Sequence, residues 1–199
     1  MLLTEYVPKP KLVVHETIVM HPRFPVIDAH NHLGGFAGME WDGWYQRSAV
    51  ELFDVLDEAG VETYISLDGG WGEDILQRHL EYFKQPAPDR FLIFGGVDWQ
   101  QWQEQGHGFG EWAAARLREQ VCWGAQGLKI WKLFGLHVKD PQGNLVAVDD
   151  ARLDPIWQTA GELNIPVLVH VADPAAFFLP LDATNERWEE LNAHPDWHF

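Results

Sequence analysis

Short apolar runs rich in Val, Ile and Phe alternate along the chain with longer stretches of helical period. The runs are VIDAH at 26–30, VETYISL at 61–67, RFLIFGGV at 90–97, AQGLKIW at 125–131 and IPVLVHV at 165–171. Each is short enough for a strand and almost continuous in apolar residues, as expected where helices cover one face of a parallel sheet and a packed interior covers the other. Between the runs lie SAVELFDVLDEAG, EDILQRHLEYFK, EWAAARLREQV and DPIWQTAGELN. The first carries Val50, Phe53 and Leu56 on one side, aspartates on the other and Gly60 at its end, which predicts an amphipathic helix closed by a glycine. TNERWEELNAH, near the C-terminus, is also helix-like. Strand, helix, strand at this rhythm predicts parallel pairing and an α/β fold.

One segment, LHVKDPQGNLVAVDD at 136–150, interrupts the rhythm. Pro141 and Gly143 in a turn, followed by alternating residues, predict a small hairpin inserted after the fourth strand, either as the rim of a site or as a surface loop.

An open doubly wound sheet and a (β/α)8 TIM barrel both fit β-α repeats, and the polar residues choose between them. His30 and His32, Asp68 with Gly69 and Gly70, Asp98 with Trp99, and His170 with Asp173 fall at or just past the C-terminal ends of the predicted strands. Barrel active sites assemble at that end. An open sheet usually binds there through a glycine-rich phosphate loop, and no G-x-G-x-x-G or Walker sequence follows any strand. The expected fold is a TIM barrel, represented by about five β-α units in one domain over 1–199. Five strands cannot close an eight-stranded ring, so an N-terminal part of a longer protein is expected, cut after the fifth strand and the helix that follows. Alone it should be poorly stable, with Ile65, Phe94 and Leu168 facing unfilled space and open edges that favour self-association into a homo-oligomer.

Composition narrows the partners. At 199 residues and 46% hydrophobic the chain can bury a sizeable core. Its 14 basic against 30 acidic side chains give a net charge of −16, which opposes binding to nucleic acid or an anionic membrane. Cys122 is the sole cysteine, so no intrachain disulfide forms; no apolar run approaches the roughly 20 residues of a membrane span, and the N-terminus lacks a signal-peptide pattern. A cytoplasmic protein acting on a small-molecule substrate is expected. Of the eleven Trp residues, Trp41, Trp44, Trp71, Trp99 and Trp102 fall in post-strand loops, where they could wall a pocket as well as serve core packing.

The chemistry concentrates in VIDAHNHLGG, residues 26–35. Alternation along a strand puts Asp28, His30 and His32 on one face. The plain reading is a strand running out into a polar glycine turn; the sharper one is a metal site. Neutral imidazoles bind Zn²⁺ well, and catalytic sites usually combine three protein ligands with an open position. His170 closes an apolar strand in the same register and is the natural third ligand, while Asp28 could orient an imidazole from behind. Lys129, in LKIWK, should point to the interior, because an ammonium pressed against apolar helices is heavily penalised. It could pair with an anionic substrate, bridge metals as a carbamate, or serve as a structural cation paired with a carboxylate. Lys132, of opposite parity on a regular strand, should reach solvent.

FPVIDAHNHLGG, the GLKIW strand and PVLVHVADP resemble the metal-dependent amidohydrolase superfamily, and within it the amidohydrolase 2 group that includes aminocarboxymuconate semialdehyde decarboxylase. The resemblance runs from about Pro25 to the end of the chain. It implies that His30 and His32 are first-strand metal ligands, that His170 is the fifth-strand ligand, and that Lys129 lies where some members carry a bridging carboxylated lysine. It also implies a His after the sixth strand and an Asp base after the eighth; the sequence stops at HPDWHF, and His194 and His198 come too early for the former. Some decarboxylases of the group have Glu in place of the first His, whereas this chain has His30. The expected activity is therefore metal-dependent hydrolysis of a cyclic amide, lactone or ester with a divalent ion of the Zn²⁺ type. The alternatives are non-oxidative decarboxylation of an aromatic or unsaturated acid, assisted by Lys129 or a loop Arg such as Arg47, and a non-catalytic barrel fragment. The 199 residues alone are expected to bind metal weakly and to turn over nothing.

Overall fold

A computed structural model describes residues 3–9, 15, 17–34, 44, 47–170 and 173–199. The chain falls into two compact units, residues 20–171 and a smaller unit of 1–19 with 172–199. The larger holds five strands in sequential order, β1 (Val26–Asn31), β2 (Val61–Ser66), β3 (Phe91–Gly96), β4 (Gly127–Ile130) and β5 (Val167–Val169), every pair parallel. The strand order never reverses, as it would at the switch point of a doubly wound sheet. The result is a curled half-barrel of five parallel strands. Among the described residues no helix is long and apolar enough to cross a membrane.

Helices return the chain between strands. They are α1 (Ala49–Glu58), α2 (Glu73–His79, running on as a π-turn over Leu80–Lys84), the single turn α3 (Trp102–Gln105), α4 (Phe109–Trp123), the single turn α5 (Leu133–Leu136) and α6 (Asp154–Glu162). In the smaller unit, α7 (Trp188–Ala193) lies within the predicted TNERWEELNAH. α1 starts where Ser48 accepts from the Val50 N–H and ends before Gly60, at φ +70°, a conformation glycine adopts without strain. Its buried face is Leu52 and Leu56 rather than the expected stripe from Val50, which is exposed. Phe53 and Leu56 of that stripe do face the core, Phe53 beside Phe91, and Leu52 takes the place of Val50.

Alternation along the strands sorts two layers. Tyr64 of β2, and Phe91 and Ile93 of β3, join Leu52, Leu56, Leu76 and Phe83 beneath α1 and α2. Leu128 and Ile130 of β4 join Phe109, Leu117, Leu153 and Ile156 beneath α4 and α6. The intervening residues, Phe94, Gly127, Lys129 and Leu168, therefore turn to the opposite, concave face. Phe94 was expected to face unfilled space and is instead buried, because it lies over Gly127, where an added Cβ would overlap its ring. Ile65 and Leu168 are only half-buried.

The 136–150 segment folds back on itself. Lys139 and Leu145 form an isolated antiparallel bridge, and Asp140 accepts from the N–H groups of Gln142 and Asn144 at 3.0 and 2.9 Å. Arg152 donates to Asp140 at 3.0 Å and to Asp150 at 2.6 Å, tying the segment to the start of α6. Burial would raise the Asp140 carboxyl, but the Asn144 N–H, the Arg152 guanidinium, the Asn144 amide and the Gln142 N–H outweigh it and hold it below the usual carboxylate range. Asp150 is lowered chiefly by its bonds to Arg152.

Both carboxyls protonate less readily in the folded chain than in the unfolded one. Their contribution is thus present above the ordinary carboxylate pKa of about 4 and lost as pH falls through the depressed folded values. Arg152→Met should lower the melting temperature at neutral pH and flatten its fall on acidification; an unchanged acid limb would show that these bonds do not set it. Gly127→Ala should destabilise by roughly 1–3 kcal/mol in urea unfolding, since Phe94 has nowhere to retreat.

Candidate metal centre

β1 does not run evenly beside β2. The pairing slips between Val26 and Ile27 and again between Asp28 and Asn31. Within the second slip Asp28 accepts from the His30 N–H at 3.3 Å and from the Asn31 side chain at 2.7 Å. The strand then leaves the ladder as His32, Leu33 and Gly34, and Asp68 receives all three. This carboxylate is fully buried and stands two residues past β2. Its Oδ2 accepts from the N–H groups of Leu33 and Gly34 at 2.5 and 2.9 Å, and its Oδ1 lies 2.7 Å from Nδ1 of His32.

A second buried imidazole supports the same turn. His79, on the apolar face of α2 with Ile75, Leu76 and Phe83, is fully buried. Its Nε2 lies 3.0 Å from the Gly34 carbonyl and its Nδ1 3.0 Å from Ser66 Oγ. Burial, with the Arg78 charge adding to it and Asp68 opposing, pushes His79 below the ordinary imidazole pKa, so it is neutral at physiological pH.

Three strand-end histidines gather on the concave side. The ring centroids of His30 and His32 are 5.8 Å apart and those of His30 and His170 6.2 Å. Two imidazoles sharing one ion place their centroids about 5–6 Å apart, given metal–nitrogen bonds of about 2.0–2.1 Å. His170 is placed by its own N–H, which bonds the Ile130 carbonyl at 2.9 Å across the β4–β5 edge. His30 is exposed in area, yet partial burial of its ring and the neighbouring Lys129, His32 and His170 lower its pKa, with Asp28 opposing. Among the described residues, no group of three or more His, Cys, Asp or Glu side chains is placed so that it could hold a metal ion.

Lys129 takes the inward direction expected of it and is fully buried. Its Nζ sits 5.0 Å from the Trp131 ring centre and has no hydrogen-bond partner, so the expected alternative of a cation paired with a carboxylate is absent among the described residues. Burial pushes its pKa down to about 8. Lys132 lies beyond β4, which ends at Ile130, so strand parity does not govern it; it is half-buried.

Trp131 stacks on His32 at 5.0 Å and lies tilted against Trp71 at 4.2 Å. Beyond these indoles lies a cleft of about 1010 Å³ over the ends of β2–β4, walled by Trp71, Trp99, Trp112 and Trp131 with His137 and Lys139 on its rim. Two of the loop tryptophans expected at a pocket, Trp71 and Trp99, are there. Trp102 is in the core, stacked 4.4 Å from Phe109. Trp44 packs beside the other core cluster, and Trp41 lies outside the described residues. Arg47 sits over Trp44 and faces Glu51 at 3.8 Å on the surface, a placement that does not serve the histidines.

Asp28, expected behind an imidazole, bonds the backbone of His30 and the side chain of Asn31, and Asp68 is the carboxylate that bonds the His32 ring. The signal for Asp68 was its position at a strand end. For His79 it was a titratable residue on an otherwise apolar helical stripe.

No protein-family model and no curated protein matches the sequence. Among solved structures, a probable 2-pyrone-4,6-dicarboxylic acid hydrolase from Acinetobacter baumannii, crystallised with citric acid, aligns at a TM-score of 0.49 and 14% identity, over 77% of this chain and 52% of its own. The chain thus spans about half the length of that structure.

Gly70 has no room for a side chain, because a Cβ there would overlap Nε1 of Trp131 and stand 3.2 Å from Cγ of Lys129. Gly70→Ala should therefore push the indole off His32 while leaving the secondary structure intact. A near-ultraviolet circular dichroism spectrum and tryptophan emission identical to those of the unaltered chain would contradict this stacking.

Proposed function

We propose that the whole protein is a metal-dependent hydrolase acting on a cyclic amide, lactone or ester, with His30, His32 and His170 holding a divalent ion of the zinc type. The observation that carries the reading is the gathering of three strand-end imidazoles about His30, from β1 and β5, on one concave face. The donor set suits such an ion: His30 is biased to its neutral form, and His32 has one ring nitrogen engaged by Asp68 and the other left for a ligand. The ion would supply Lewis acidity, polarising a carbonyl and acidifying water.

The chain's own residues supply the setting. β1 carries His30, the Ile130 carbonyl holds His170 just past β5, and Asp68 holds His32 just past β1, so the imidazoles come from two separate elements. Trp131 closes one side of His32 to water. Lys129 places an amine in the floor of the concave face, where it would meet an anionic group of a substrate. No described residue is assigned the base.

Lys129 also favours a second reading, non-oxidative decarboxylation, in which the amine grips the carboxylate that is lost. The two are separable. Metal analysis of the purified protein should find about one equivalent of zinc or a similar ion. Single His→Ala changes at positions 30, 32 and 170 should each remove most of it, and a lactone, ester and cyclic amide panel should yield hydrolysis. Carbon dioxide release from aromatic acids without any hydrolysis would favour the second reading and overturn the first. Lys129→Met should weaken binding of anionic substrates roughly 10-fold or more while leaving metal content intact, as expected for loss of a charged hydrogen bond; unchanged kinetics would make Lys129 structural.

A further inference from the structure

The buried polar residues beneath the histidines fix proton positions by elimination. The Gly34 carbonyl can only accept, so Nε2 of His79 carries the hydrogen that bonds it. Neutral His79 then has its lone pair on Nδ1, and Ser66 donates its hydroxyl hydrogen there. The backbone N–H groups of Leu33 and Gly34 can only donate, which makes Asp68 Oδ2 an acceptor twice over. Oδ1, the other oxygen of the same carboxylate, accepts in turn, and what it faces is Nδ1 of His32.

We infer that Asp68 is a positioning residue that holds neutral His32 as its Nδ1–H tautomer, with the lone pair kept on Nε2. The Leu33 and Gly34 N–H groups prevent the carboxylate from turning away, and His79, bonded to Gly34 and braced by Ser66, holds that turn against α2. The purpose of the lone pair, to bind a divalent ion, rests on the metal reading above; the tautomer does not. An imidazole with its other nitrogen fixed by a carboxylate is also a more basic ligand.

Asp68→Asn tests the assignment because it is nearly isosteric and reverses the hydrogen bond. The two backbone donors keep the amide oxygen in the place of Oδ2, so the NH₂ group replaces Oδ1 and donates to His32 Nδ1. The proton of neutral His32 must then move to Nε2. Long-range ¹H–¹⁵N spectra of the imidazoles, recorded without metal and at a pH where histidines are neutral, should show His32 as Nδ1–H in the unaltered chain and as Nε2–H in Asp68→Asn. Finding Nε2–H in the unaltered chain overturns the inference even if the variant fails to fold. Retention of Nδ1–H in a folded variant overturns it too. Zn²⁺ titration adds the second arm, with affinity expected to fall roughly 10–100-fold in the variant. Equal Zn²⁺ affinity after a switch of tautomer would sink the role of the lone pair. An unaltered chain that binds no Zn²⁺ would remove the metal reading and leave the tautomer assignment to stand on the spectra.

Discussion

A fully buried carboxylate, bonded by backbone N–H groups and an imidazole, holds the end of β1 in place. Burying such a charge is costly unless hydrogen bonds replace its hydration, and Asp68 receives two backbone N–H groups and an imidazole nitrogen within 3 Å. Those donors come from His32, Leu33 and Gly34, at the point where β1 has slipped out of register and can no longer satisfy them in the ladder. The turn that carries His32 is shaped by a residue from the turn that follows the neighbouring strand. Remove the carboxylate, and two buried N–H groups lose their acceptor together with the ring that they flank.

Around that clamp the glycines set the distances. Gly69 and Gly70 let the turn after β2 settle onto the end of β3, where a Cβ at Gly69 would overlap the Phe94 carbonyl and one at Gly96 would overlap the backbone of Gly70. Gln120, from α4, seals the same edge by donating to the Gly96 carbonyl and accepting from its N–H, both at 3.0 Å. Close backbone layers leave room on the concave side for large groups, and Phe94, Lys129 and Trp131 take it.

The architecture was legible because its signals are periodic. Apolar runs at a near-constant interval, with polar residues at one end of each, define parallel strands and the face on which chemistry gathers. The inward turn of Lys129 follows from the same parity. What alternation does not encode is a break in the strand. The slip after Asp28 turns that carboxylate to the His30 backbone, and the bond to an imidazole passes to Asp68, 36 residues from its partner. The exchange of Val50 for Leu52 on α1 is similarly hidden, because the two flank the Phe53–Leu56 side of the helix and only the packing beneath it selects between them. His79 could be found only as a misfit on a greasy face.

The pair of indoles between the histidines and the cleft is a shared wall. Trp131 touches His32 on one side and Trp71 on the other, and Trp71 also faces the cleft. A molecule that shifts Trp71 must disturb the ring on which His32 rests, and a change at His32 is felt at the cleft by the same route. The two sides of this wall cannot be altered independently, so substitutions on the cleft side will read out at His32, although the cleft itself is lined by none of the three histidines.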